Sequence, residues 1–392
     1  MLTGKALKEA GTKQVIKHSL GDKSIADVCE ALIGAAFMQH NIPGHWDPKN
    51  WDEAVKAVTL LVRKEDHLME KWSDYYAAYE LPQYQIGQPT ATQLDLSQKI
   101  YTVHPYRFKY PRLLRSAFIH PSQPFMWELI PNYQRLEFLG DSLLDQVFIM
   151  YLFYRYPDKD PQWLTEHKMP MVSNKFLGAV CVDLDFYRHI RQNNSLLSAQ
   201  IRDYVNELKQ AEDEAKSKDD PKDAVAYWTT VSEPPKCLAD VVEAFVAALF
   251  VDSKFDFNVV QEFFDRHLKK YFIDMSIYNE FANSHPTTRL SKMLTVALGC
   301  REWRLATLTS ESLIPGAKPQ VVAMVMIHNE VRFDGVAVSG RYARVKASRK
   351  ACEALEGLPP YEYKRLYGCT CETDKEMEQI EQQMKEMVGP GF

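Results

Sequence analysis

Two short stretches of this 392-residue chain hold acidic side chains in otherwise apolar surroundings. Glu137 and Asp141 stand four residues apart in Arg135-Leu136-Glu137-Phe138-Leu139-Gly140-Asp141. Asp240 and Glu243 stand three apart in Ala239-Asp240-Val241-Val242-Glu243-Ala244. On a helix either spacing puts both carboxylates on one face. A buried carboxylate without a partner is costly, so each pair calls for a cation. Four acidic oxygen donors suit hard divalent ions such as Mg²⁺ or Mn²⁺. Two such ions can activate water and stabilise the leaving oxygen of a phosphodiester. No Gly-rich phosphate loop and no Ser/His/Asp or Cys/His grouping competes with that chemistry.

A second set of residues points to soft-metal chemistry. Cys300 follows Gly299 at an expected helix-to-strand junction, and His328 is read within a strand. Cys369-Thr370-Cys371 lies beyond the last expected helix. With the tail folded back, these four residues could form a tetrahedral Cys₃His site for structural Zn²⁺. The competing reading is a free Cys300, a surface His328 and a reduced C-x-C. Cys29, Cys181, Cys237 and Cys352 read as core or neutral. Close by, Ser339–Lys350 carries Arg341, Arg344, Lys346, Arg349 and Lys350 and no acid. A helix there would set cations against phosphate. A basic solvated helix in a protein-interaction domain is the alternative.

The elements that must position these groups follow from composition and pattern. Hydrophobic content of 46% and aromatic content of 12% support packed cores and exclude a disordered chain. No apolar run reaches membrane-spanning length and the N-terminus has no apolar signal core, so an intracellular protein, nuclear or cytoplasmic, is expected, without a membrane partner. The net charge of −5 neither announces nor excludes a nucleic-acid partner, because clustering of basic groups decides that. The chain also repeats itself. Lys23–Phe37 and Lys236–Phe250 are identical at eight of fifteen positions. Both copies read as buried Ala-rich helices, and Asp27 and Glu30 in the first match Asp240 and Glu243 in the second. No counterpart of the Glu137/Asp141 helix precedes the first copy, so a truncated first domain is expected over 1–80. A linker is expected over 81–98, a complete helical domain over 99–280, an α+β domain over 283–372 and a tail over 373–392. Lys209–Asp223 reads as a charged surface loop. Trp303–Thr309 and Val321–Phe333 read as strands, the second ending at an Asp334-Gly335 turn, before a helix over Ala343–Leu355.

The stretches RLEFLGD at 135–141 and ADVVEA at 239–244 resemble the two defining motifs of the ribonuclease III family. That resemblance implies a mostly α fold with a small C-terminal α+β double-stranded RNA-binding domain. It implies divalent-metal hydrolysis of double-stranded RNA by Glu137, Asp141, Asp240 and Glu243. Val172-Ser173-Asn174-Lys175 is similar to an SN element of the family, making Asn174 an orienting residue. Lys236 resembles a lysine that Dicer-type domains set near the scissile phosphate. Two ribonuclease III segments in one chain resemble the fungal Dicer-like branch. In that branch the two domains pair within the chain, Asp27 and Glu30 belong to a partial first site, and Cys300, His328, Cys369 and Cys371 match a C-terminal zinc site. The branch also implies short duplex products with 5′ phosphates and 3′ overhangs, a role in RNA silencing and antiviral defence, and Argonaute or double-stranded-RNA-binding protein partners. The rival class is a non-catalytic ribonuclease III fold that binds RNA structurally, as in ribosomes.

Overall fold

The computed structural model describes residues 7–9, 12–14, 21–39, 47–65, 67–217, 221–279, 286–310, 320–337 and 340–371. The chain divides into two compact units, Met1–Met275 and Ser276–Phe392. Apart from a short antiparallel hairpin of Leu7–Glu9 with Thr12–Gln14, the first unit is mainly helical, its helices including α1 (Asp22–Met38), α2 (Asp52–Val62), α3 (Ala91–Val103), α4 (Pro111–Ser116), α5 (Gln134–Arg155), α6 (Pro161–Met171), α7 (Asn174–Asp183), α8 (Ser195–Ser217), α9 (Cys237–Asp252) and α10 (Asn258–Phe263).

Helix α9 is the axis of this unit, and every one of its residues is buried. It packs chiefly on α5 and also on α7. Its alanines allow close approach, and Gly140 of α5 completes it. A Cβ on Gly140 would lie 1.8 Å from the Glu243 carbonyl oxygen. That contact of helix on helix brings the two acid pairs together. Phe245 of α9 meets Phe186 at 4.7 Å and Phe263 at 5.6 Å between ring centroids, both within the preferred range for aromatic pairs. At the far end of α9, Asp252 accepts hydrogen bonds from the Lys109 and Tyr110 amides at 2.9 and 2.8 Å and from the Tyr106 hydroxyl at 2.9 Å. Buried Arg115 reaches Glu128 with Nε at 2.7 Å and Nη2 at 2.5 Å, which ties α4 to the segment leading into α5.

Three sequence expectations change here. The proposed linker over 81–98 contains a helical turn, Gln83–Ile86, and most of α3, with Gln85, Gln93 and Leu96 buried. Thr90 and Gln93 form a capping box that starts α3, so polar residues announce a helix end rather than an open connection. The charge run beginning at Lys209 continues α8 to Ser217, laced by Lys216–Glu212 at 2.6 Å; residues 218–220 lie outside the described residues. Finally, α1 buries none of its residues, unlike α9, and leaves Ile25, Val28 and Leu32 about half exposed. Among the described residues nothing stands against α1 as α5 stands against α9; its main neighbour is α2.

The second unit runs α11 (Pro286–Lys292), β1 (Trp303–Ser310), β2 (Gln320–Ile327), β3 (Glu330–Ala337), α12 (Gly340–Leu355) and α13 (Pro360–Tyr367). The sheet is antiparallel in the order β1-β2-β3, with Trp303 opposite Ile327 and Val321 opposite Ala337. Leu290, Leu294, Val325, Ile327, Ala343, Ala347 and Ala351 form its core. The expected single strand Val321–Phe333 is two strands. The hairpin turn falls at His328-Asn329, both with positive φ (49° and 64°), as a tight two-residue hairpin needs. Gly335 lies inside β3 instead. A Cβ there would sit 2.5 Å from the Ala347 amide nitrogen, so Gly335 serves close packing of α12 on the sheet. The tail over 373–392 lies outside the described residues.

Candidate active site and metal centres

Carboxylate oxygens of Glu137, Asp240 and Glu243 lie within 4.8 Å of one another. Asp141 follows Glu137 by one helical turn on α5 and stands outside that closest group, more exposed. It still acts on Glu243 by repulsion. Glu243 is buried and accepts no hydrogen bond from any described residue. Burial pushes its carboxyl up to about 8, and Asp141 and Asp240 add to the rise. Asp240 is also buried and raised, first by burial. Hydrogen bonds from Lys236 and from the Tyr133 hydroxyl (2.9 Å) oppose that rise. Partial burial and then repulsion from Asp145 raise Asp141, while Lys168 pulls it down.

Lys236 stands at the N-terminal cap of α9 and bridges Glu137 (2.6 Å) and Asp240. Burial alone would lower its ammonium. The hydrogen bonds to Asp240 and Glu137 outweigh that and hold it above the ordinary lysine range. Among the described residues the four acids thus outnumber the two lysines, Lys236 and Lys168, that act on them. The cluster's all-oxygen donor set and the unpartnered Glu243 fit a hard divalent ion.

The structure does not bring every expected residue to this spot. Asn174 is exposed in the first turn of α7 and makes no hydrogen bond to the four acids. Its neighbour Ser173 caps the helix by accepting from the Phe176 amide at 3.1 Å. Asp27 is exposed and pairs with Lys23 at 3.0 Å, and Glu30 is exposed as well. Sequence reasoning missed Tyr133, which fixes Asp240, and Gly140, which sets the spacing. The abutment of Gly140 and Asp141 in one apolar run was the available signal for the second.

In the second unit, ligand atoms of Cys300, His328, Cys369 and Cys371 also lie within 4.8 Å of one another. His328 Nε2 is 3.7 Å from both Cys300 Sγ and Cys371 Sγ. A tetrahedral zinc with ordinary Zn–S and Zn–N bonds needs ligand atoms roughly 3.6 Å apart. The correction of His328 from strand to turn explains its reach: the hairpin end carries the imidazole past the sheet. Gly368, at φ 62°, turns the chain after α13 so that Cys369 and Cys371 return toward Cys300. The Glu302 carboxylate accepts from His328 Nδ1 at 2.9 Å, and the Arg301 amide donates to Cys371 Sγ at 3.4 Å. The metal-ligand His with an outer carboxylate is a recurring arrangement.

The basic helix α12 presents Arg344 and Arg349 to solvent. Lys350 pairs with Asp334 at 2.7 Å, and Lys346 donates to the Val336 carbonyl at 3.1 Å. The side chain of Arg341 lies outside the described residues. No described helix is long and apolar enough to cross a membrane.

Comparison with known proteins identifies the families that the two units resemble. The ribonuclease III domain family matches residues 134–254, and a dsRNA-binding domain family matches 278–357. A Dicer-like protein 1 from Phaeosphaeria nodorum is 62% identical across 100% of this chain and 26% of its own length. One from Aspergillus oryzae is 50% identical across 91% of this chain and 23% of its own length. The chain therefore spans about a quarter of the length of the curated relatives it matches. Among solved structures, Dicer from Pichia stipitis aligns at 17% identity with a TM-score of 0.28, covering 64% of this chain and 97% of that one.

Proposed function

We propose that this chain, which belongs to the Dicer-like members of the ribonuclease III family, cuts double-stranded RNA by divalent-metal phosphodiester hydrolysis. The observation that carries this reading is the meeting of Glu137, Asp240 and Glu243 at one point, with Glu243 buried and unpartnered. In this reading Glu137, Asp141, Asp240 and Glu243 hold Mg²⁺ or Mn²⁺. Such an ion, when bound, lowers the pKa of a water and offsets charge gathering on the phosphate.

The chain's own residues prepare that chemistry. Tyr133 donates to Asp240 and so fixes the direction of its carboxylate. Gly140 keeps α5 close enough to α9 for the acids to converge. Lys236 neutralises part of the cluster, and its largely exposed side chain is able to swing toward an incoming phosphate oxygen. Arg344 and Arg349 of α12 would contact phosphates of an A-form duplex, which such domains read by shape. Zn²⁺ on Cys300, His328, Cys369 and Cys371 would tie the end of α13 to the β2–β3 hairpin. Asp27 and Glu30 would belong to a second, partial acid site of a paired domain. The wider reading is that short duplex products feed RNA silencing and antiviral defence in nucleus or cytoplasm, with Argonaute or double-stranded-RNA-binding partners.

The test is cleavage of long duplex RNA with Mg²⁺ by the unaltered chain and by Glu137→Gln with Asp240→Asn. Loss of cleavage with retained RNA binding supports the site. Undiminished cleavage by the double variant sinks it, and binding without cutting by the unaltered chain favours a non-catalytic fold.

A further inference from the structure

Tyr363 of α13 carries a buried hydroxyl to which the described residues offer no strong acceptor. The residue is 0% exposed, and its hydroxyl has no partner at ordinary hydrogen-bond geometry, only the weakly accepting Cys300 thiol beside it. Phenylalanine would pack the same ring without that penalty. The ring is well fixed. It stacks on Tyr367 with centroids 5.0 Å apart at 28°, and Tyr367 lies 6.1 Å from Phe333 of β3. Fixing the ring fixes the hydroxyl within the core that Tyr363 shares with buried Cys300 and Cys369, with Cys371 packed against it. A neutral thiol is a weak acceptor and gives a buried hydroxyl little. A thiolate is a charged acceptor, and its hydrogen bonds are shorter and stronger. The hydroxyl therefore has a good partner only when the three sulfurs are held as thiolates by a cation.

We propose that Tyr363 is a positioning residue of this cation site, donating its O–H to the Cys300 thiolate while Glu302 accepts from His328 Nδ1 on another side of the cluster. The inference rests on the zinc reading of Cys300, His328, Cys369 and Cys371 and adds a residue to it. Tyr363 stabilises the charge on sulfur and slows loss of the metal, and it ties α13 to the site independently of the C-x-C ligands. Outer hydrogen bonds of this kind change metal affinity by roughly 10–100-fold.

The experiment uses the full chain loaded with zinc, a chromophoric chelator, and the variants Tyr363→Phe and Tyr367→Phe. The expected result is one zinc per chain in all three, an affinity roughly 10–100-fold lower in Tyr363→Phe alone, and metal-free Tyr363→Phe at least as stable as the unaltered chain. With cobalt in place of zinc, the thiolate-to-metal charge-transfer band should move to longer wavelength in Tyr363→Phe, because sulfur loses a donor. A purely structural role of the ring would leave that band in place. Equal affinity and an unmoved band overturn the role of Tyr363 while leaving the zinc site standing. An unaltered chain that takes up neither zinc nor cobalt overturns the zinc reading itself and the proposal with it. If Tyr363→Phe folds poorly, the unaltered chain loaded with ¹¹³Cd decides. A correlation through the hydrogen bond from a slowly exchanging Tyr363 hydroxyl proton to cadmium supports the role, and a hydroxyl in fast exchange with water overturns it.

Discussion

Replacing Gly140 with alanine should damage both stability and the acid cluster. In an exposed helix the same change would help, because alanine outranks glycine by about 0.5–1 kcal/mol in helix interiors. Here the added Cβ would stand 1.8 Å from the Glu243 carbonyl oxygen and 2.4 Å from its carbon. Ordinary contact begins at 3.4 Å, so α5 and α9 must move apart by roughly 1.6 Å at this point. The obstacle is backbone in the middle of a fully buried helix, so no rotamer change relieves it. Overpacking of this kind costs about 1–3 kcal/mol and sometimes more. Taking the upper end and subtracting the propensity gain leaves a net loss of about 2 kcal/mol or more. A displacement near 1 Å among reacting groups also costs roughly a hundredfold in rate. Urea unfolding followed by near-ultraviolet circular dichroism measures the first effect, and Mn²⁺ titration with duplex cleavage measures the second. A Gly140→Ala protein that is as stable as the unaltered chain, or more so, with unchanged Mn²⁺ affinity would refute the close-contact argument.

The Glu243 carboxyl is pushed from 4.5 to about 8 by burial and then by Asp141 and Asp240, with Glu137 adding and Lys236 opposing. The folded state therefore holds a proton that the unfolded chain releases near pH 4.5, so metal-free stability should fall as pH rises from about 4.5 to 8 and level off above. Glu243→Gln should flatten that fall, and divalent ions should counter it; a metal-free unfolding profile identical in both proteins would contradict the assignment. Arg115→Ala should cost about 3–5 kcal/mol, because it leaves Glu128 without its bidentate partner, and chemical unfolding measures it. Chelation of zinc, or Cys369→Ser, should lower the melting temperature of the C-terminal unit, and scanning calorimetry showing no change would count against the site.

Much of the acid site was legible because its residue types are costly where they lie. Carboxylates in apolar helices require a cation, and Asp240 and Glu243 carry that message at helical spacing. The contribution of Tyr133 was not legible, since nothing in a sequence says that a tyrosine one residue before a helix will reach across 107 positions to Asp240. The four clustered soft donors were legible by residue type, but the location of His328 was not. Asp334-Gly335 is the stronger hairpin signal, and it misled because Gly335 is required for helix packing. The segment 81–98 misled for the opposite reason: its polar residues include the Thr90/Gln93 capping box, a helix start hidden in apparent linker composition. The buried reading of α1 failed because helix burial depends on what packs against it, and the acid-bearing helix that covers α9 has no described counterpart beside α1.

Convergence of the acids at one point leads to the expectation of metal-dependent nuclease activity. Its most direct test is single-turnover cleavage of end-labelled long duplex RNA, with the protein in excess and Mg²⁺ either present or chelated. Cleavage by the unaltered chain is expected only with the divalent ion, with no cleavage above background by a Glu243→Gln chain that binds the duplex equally well. Cleavage that persists in Glu243→Gln, or that ignores chelation, would contradict it.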